Sequence, residues 1–184
     1  MRYPHQRSGL IEGKGFGLTH IYYGQGVGKT TRAVGMAIRA AGTGLKVDFV
    51  QFMKSGKSGE VAILEKIPNI HYRCPGEHPF IMSHGPKPLH YEHAEKALGY
   101  AFEAIRRGTH LLICDEILDT LIFELLRKNR LLELIERCKR KVELVMTGMS
   151  APMEFIELTD YATEFIQIKH AYYIGAKARK GIEY

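Results

Sequence analysis

The chain has 184 residues, 45% of them hydrophobic and 25% charged, an ordinary globular composition that excludes a disordered or collagen-like protein. That length fits one domain large enough to bury a proper core. A formal net charge of +6 and a pI of about 9.2 suit a site for a small polyanion as well as nucleic acid, and with no long aromatic–basic stripe the nucleic-acid reading ranks low.

In chain order, residues 1–17 are polar and carry Gly9, Gly13, Gly15 and Gly17, the pattern of a mobile N-terminal arm. No apolar segment follows its basic residues, so no signal peptide is expected. Leu18 to Tyr23 reads as a first strand. Gly24 to Gly28 reads as a tight loop, and Lys29 opens a helix with Ala33, Ala37, Ala40 and Ala41 on one stripe, ended by Gly42 and Gly44. Lys46 to Phe52 is a second strand, followed by a basic, glycine-bearing loop, Lys54 to Gly59. Glu60 to Lys66 is a short helix stopped by Pro68, and Ile70 to Cys74 a third strand.

Pro75 to Pro88 is the least regular stretch, with four prolines, His78, His84 and Phe80. A surface loop with solvated histidines is favoured there over a zinc site from His71, Cys74 and His78. A loop that covers a ligand is the more informative option. Tyr91 to Arg107 is a helix by the spacing of Ala94, Ala97, Leu98, Ala101 and Ile105, with Glu103 four residues before Arg107 on its outer face. Leu111 to Cys114 is a continuous apolar run ending in Asp115-Glu116, the pattern of a buried parallel strand with acids at its carboxyl end. Ile117–Leu126 and Asn129–Lys141 read as helices, Val142–Met146 as a buried strand ending at Thr147-Gly148, Pro152–Leu158 as a helix and Glu164–Lys169 as a last strand. Strands alternating with helices give an α/β domain, residues 18–184, with a mainly parallel sheet flanked by helices. No apolar run is long enough to span a bilayer, so no membrane association is expected. The three cysteines, Cys74, Cys114 and Cys138, lack metal-type spacing, which suits a reduced, cytoplasmic protein.

The chemistry centres on Gly24-Gln25-Gly26-Val27-Gly28-Lys29-Thr30-Thr31. Glycines between a strand and a helix let backbone N–H groups turn toward one point, and the helix start adds the positive end of its dipole. Lys29 can reach a phosphate oxygen and the Thr30 hydroxyl can ligate Mg²⁺. A standard P-loop has four residues between its first Gly and Gly-Lys-Thr; here there are three, Gln25-Gly26-Val27, so the cradle is shorter and holds its anion differently. Asp115 and Glu116, on a downstream apolar strand, are placed to hold Mg²⁺ directly or through water.

The shortened loop, Val50-Gln51-Phe52-Met53-Lys54, Asp115-Glu116, Thr147-Gly148 and the tail motifs Lys169-His170-Ala171, Gly175-Ala176-Lys177-Ala178 and Gly181-Ile182-Glu183-Tyr184 together resemble the P-loop class of ATP:corrinoid adenosyltransferases, from Leu18 to the C-terminus. The resemblance implies a RecA-like P-loop NTPase fold and a homodimer. It also implies ATP reversed in the P-loop, and transfer of the 5′-deoxyadenosyl group of ATP to the cobalt(I) of a reduced corrinoid with release of triphosphate. A reductase or other electron donor is an implied partner. Carried onto this chain, Gly24 to Thr30 hold the phosphates, Lys29 and Thr30 are the catalytic pair, Thr31 and Arg39 assist from the first helix, and Thr30 and Glu116, with Asp115, are the metal ligands. Val27 stands where the family usually has a basic residue and Met149 where it commonly has Arg. The chain has no Trp, whereas the family's corrinoid loop typically carries one beside a Phe. Two other classes fit the bare motifs: a nucleoside kinase or ATPase attacking phosphorus, and a non-catalytic ATP- or corrinoid-binding protein.

Overall fold

The computed structural model describes Gly15 and residues 17–183. The expected N-terminal arm lies outside the described residues apart from Gly15 and Gly17. Gly17 is anchored: its N–H and that of Leu18 donate to Glu143 Oε2, both at 3.0 Å.

Six strands form one all-parallel sheet: β1 (Thr19–Tyr23), β2 (Val47–Gln51), β3 (Ile70–Arg73), β4 (Leu111–Asp115), β5 (Glu143–Gly148) and β6 (Tyr161–Glu164), in the spatial order β3-β2-β4-β5-β1-β6. This is the α/β architecture of P-loop NTPase-like domains. Parallel neighbours need crossovers, supplied here by α1 (Lys29–Gly42), α2 (Val61–Leu64), α3 (Pro88–Arg106), α4 (Asp119–Ile122), α5 (Lys128–Cys138) and α6 (Met153–Leu158).

Both faces of the sheet are covered, so the central strands are apolar on both sides. One face packs α1 through Ala33, Ala37 and Ala41 against Tyr22, Val47, Phe49, Ile113 and Val145. Alanines at this spacing let the helix lie close to the sheet. The other face packs α3 and α5, through residues such as Leu98, Leu131 and Leu134, against Val50, Leu112, Cys114, Leu144 and Met146. Each fully buried Leu or Ile contributes about 1.5–3 kcal/mol. Cys114 and Cys138 belong to this core, and burial pushes both thiols up. Side chains alternate between the faces along each strand. Residues at odd positions of β2, β4 and β5 face α1, so Gln51, Asp115 and Thr147 share one face at the carboxyl end of three neighbouring strands.

Several expected elements differ in their bounds; α2 shortens to Val61–Leu64 and α5 ends at Cys138 rather than Lys141. α3 starts at Pro88 rather than Tyr91, because proline suits the first helical position and the Lys87 N–H donates to His90 Nδ1 at 2.7 Å. The helix expected over Ile117–Leu126 shrinks to one turn, α4. Leu118 N–H is drawn to Thr147 O at 3.1 Å, and Glu124 takes a left-handed conformation, φ 53°, that ends the helix. The last strand is Tyr161–Glu164, not Glu164–Lys169. β1 turns away at Gly24, so the chain beyond Phe165 has no strand to pair with, and Ile166 and Ile168 are exposed. The helical pair Glu103–Arg107 is also replaced by longer-range ones. Arg73 Nη1 donates to Glu103 at 2.5 Å, and Arg107 Nη2 donates to the buried Asp48 at 2.5 Å.

Candidate functional site

The loop at 24–28 is built by a close backbone approach. Phe165, just past β6, donates its N–H to Tyr23 O at 2.7 Å and accepts the Gly26 N–H at 2.7 Å. A Cβ on Gly24 would stand 2.4 Å from Phe165 O, and one on Gly26 2.8 Å from the same oxygen. Gly24 and Gly28 also take left-handed conformations, φ 115° and 105°. The three glycines therefore do not all aim N–H groups at one point, as the sequence suggested, because the Gly26 N–H is committed to Phe165. What remains for an anion is the start of α1, whose N-cap is Gly28, with no side-chain cap and no acidic residue in the first turn. Val27, at the tip, is 71% exposed.

Lys29 curls over this loop and donates from Nζ to Gly24 O at 2.7 Å and Gly26 O at 2.8 Å. Burial pushes its ammonium below the usual lysine range, against the pull of Asp119, Glu116 and Asp115. One residue on, Thr30 Oγ1 donates to Asp115 Oδ1 at 3.0 Å.

Asp115 is fully buried and collects donors from every side. Thr147 Oγ1 donates at 2.8 Å, Gln51 Nε2 at 3.3 Å and Lys54 Nζ at 2.8 Å. Gln51 is itself held by Tyr72 OH at 2.7 Å and reaches Glu60 at 3.2 Å. Thr147 in turn accepts the Glu116 N–H at 2.8 Å. Glu116 is left-handed, φ 63°, so its carboxylate leaves the strand direction and stands 3.5 Å from Lys54 Nζ. Burial drives the Glu116 carboxyl up to about 7, opposed by Lys54 and reinforced by Asp115 and Asp119. Asp119 is raised to about 6, again by burial, although it accepts the Met149 N–H at 2.6 Å.

The structure thus brings Gly24 to Thr30, Asp115 and Glu116 together. Gln25 lies on the rim, with Nε2 3.4 Å from Met149 O. Thr31 is exposed on the first turn of α1. Arg39 is exposed in its last turn, about 15 Å along the helix from Lys29 at 1.5 Å per residue, so it does not join this cluster. Sequence reasoning missed Gln51 and Thr147 as partners of Asp115, Asp119 as a third carboxylate whose charge raises Glu116, and Lys54 as the cation on Asp115. The signal for the first two was strand parity. For Lys54 it was the Gln-Phe-x-Lys motif itself.

In the Pro75–Pro88 loop His84 is exposed, as expected of a surface loop, but His78 is half-buried against α3. His90 and His93 of α3 are 1% and 3% exposed, and His78 packs on both with ring centroids 4.8 Å away. His93 Nε2 donates to Lys54 O at 3.1 Å and Gly76 O at 3.2 Å, and His90 Nε2 to Pro79 O at 3.0 Å, tying the loop down. His71 instead meets Asp48 at 3.0 Å and Cys74 Sγ donates to Lys54 O at 3.1 Å, so the residues of the alternative zinc reading serve separate contacts.

Residues 15–184 match the family model described as ATP:corrinoid adenosyltransferase BtuR/CobO/CobP. The chain belongs to the ATP:corrinoid adenosyltransferase family. It is 33% identical over 171 residues to the corrinoid adenosyltransferase of Pseudomonas aeruginosa, covering 91% of this chain and 84% of that one. A Sinorhizobium corrinoid adenosyltransferase is 30% identical over 173 residues, 91% and 80% of the two chains. That of Escherichia coli K12 is 26% identical over 189 residues, 91% and 86%. Family membership makes this chain a transferase with ATP and a corrinoid as substrates. No helix among the described residues is long and apolar enough to cross a membrane.

Proposed function

We propose that this chain transfers the 5′-deoxyadenosyl group of ATP to the cobalt(I) of a reduced corrinoid at the site built from Gly24–Thr30, Asp115 and Glu116. The corrinoid cobalt supplies the electron pair of the new carbon–cobalt bond. The C5′–oxygen bond breaks, and triphosphate leaves with its electrons. No protein base is needed, since the nucleophile carries no proton. The chain's task is to hold the adenosyl carbon in line and to stabilise charge on the leaving group.

The observation that carries this reading is the hydrogen bond from Thr30 to the buried Asp115, 85 residues away, directly beside the short loop. It couples the anion cradle to an acid site at one point on the sheet edge. Lys29 exchanges its two loop carbonyls for triphosphate oxygens. The open first turn of α1 adds N–H groups, and the shortened loop favours the reversed nucleotide pose.

The same residues fit Mg²⁺. Asp115, Glu116 and the Thr30 hydroxyl are hard oxygen donors, and the Lys54 ammonium already stands among them as a positive charge. When bound, Mg²⁺ neutralises charge on the triphosphate oxygens. A cytoplasmic setting, a homodimer and an external reductase or other electron donor complete the proposal.

The test is anaerobic incubation with ATP, Mg²⁺ and a chemically reduced corrinoid, followed by the visible spectrum. Growth of the alkyl-corrinoid spectrum supports the reading. A spectrum that does not change while ATP is consumed overturns it.

A further inference from the structure

We propose that Lys54 is the resident cation of the metal pocket: in the nucleotide-free protein its ammonium occupies the position between Thr30, Asp115 and Glu116, excludes free divalent cations, and gives way when metal arrives already bound to triphosphate. The inference rests on the Mg²⁺ site proposed for these residues and adds an order of events to it.

Lys54 Nζ lies 2.8 Å from Asp115 Oδ2, 3.1 Å from Thr30 Oγ1 and 3.5 Å from Glu116 Oε1. These are the oxygens assigned to the cation. Asp115 has no exposure to water, so its charge needs a positive partner whenever the substrate is absent. Lys54 supplies it from a side chain still 21% exposed, which leaves the ammonium a route out.

The backbone is arranged for this contact. Met53, immediately before Lys54, is left-handed at φ 48°, as is Glu116, immediately after Asp115, at φ 63°. Two non-glycine residues in a sparsely populated conformation flank the two halves of one ion pair. The Lys54 carbonyl is fixed by His93 Nε2 and Cys74 Sγ, each at 3.1 Å. The main chain therefore stays in place while the side chain swings. Lysine suits the role, being a compact charge on a flexible stem with no fixed fork to release.

The consequence is selectivity for timing. A free divalent cation must displace Lys54 without compensation. A metal–triphosphate complex brings phosphate oxygens that accept the displaced ammonium. The pocket then fills in one step, and charge is never left unpaired.

Mn²⁺, a paramagnetic probe for the Mg²⁺ position, tests this on the full chain by titration with and without ATP. Lys54→Ala and Lys54→Gln should bind free Mn²⁺ at least ten-fold more tightly than the unsubstituted protein, and Lys54→Arg should not. Equal free-Mn²⁺ affinity in the unsubstituted protein and in both neutral variants overturns the proposal. Circular dichroism confirms folding, and Lys54→Gln, which keeps a donor toward Asp115, serves if Lys54→Ala unfolds. Asp115→Asn separates the two levels. If it abolishes ATP-dependent Mn²⁺ binding while the Lys54 variants behave like the parent, the metal site stands and the resident-cation role fails. If it leaves ATP-dependent binding unchanged, the metal reading fails and takes the proposal with it.

Discussion

Two regions at the carboxyl edge of the sheet contrast sharply. Around Asp115 the polar groups are buried and tied to one another, from Gln51 through Lys54 and Thr30 to Thr147. In the Pro75–Pro88 loop and the tail after Phe165, large apolar side chains face water: Phe80 is 93% exposed, Ile168 83% and Ile174 88%. The first region is organised before any ligand arrives. The second leaves apolar surface open. Under the proposed reaction, the corrinoid and a second copy of the chain are the ligands available to cover it. The cluster around Asp115 is thus preformed, whereas the loop and the tail keep apolar surface exposed.

The contrast can be broken at its buried end first. Asp115→Asn strands Lys54 and points an amide nitrogen at donors. Lys54 keeps a route to water, so the loss sits at the low end for a broken buried pair, about 3 kcal/mol. A fall in melting temperature of roughly 6–12 °C is expected. An unchanged melting curve would mean that the network is not preorganised. Next in size, Lys29→Ala removes a charge-assisted contact worth about 1.5–3 kcal/mol, so ATP affinity should fall roughly 10- to 150-fold by calorimetry with little change in stability.

At the other region, pH is the lever. Burial, with His93 and His90 adding to it, holds His78 down to about 4 from the ordinary 6.5. Between those values the folded protein binds fewer protons than the unfolded one. Stability from this group is complete above 6.5 and is lost as pH falls toward 4. Thermal melts across that window should show the decline, and His78→Gln should flatten it. Smallest of all, Lys57→Ala removes an exposed pair with Glu77 at 2.6 Å and should cost no more than about 0.5 kcal/mol in a denaturant melt.

How much the sequence disclosed divides along the same line. The loop, Lys29, Thr30 and the acids after Leu111–Cys114 were legible because each is a local pattern: strand, turn and helix start, or an apolar run with acids at its end. Gln51 and Thr147 were not legible as partners of Asp115, since three strands far apart in sequence must first be set side by side. His90 and His93 were hidden inside a helical stripe whose alanines already explained it. The last strand was misplaced because Ile166 and Ile168 alternate with Gln167 and Lys169 like strand residues, whereas Phe165 just before them braces the loop at Gly24 and Gly26. Patterning reports which face a residue prefers, and it does not report which backbone is near enough to pair.

The most direct measurement of the central claim is the fate of the phosphates in a single anaerobic turnover with ATP and a reduced corrinoid. Attack at the ribose carbon predicts one intact inorganic triphosphate for each adenosyl group transferred. Release of ADP or orthophosphate in place of triphosphate would mean attack at phosphorus and would contradict the account.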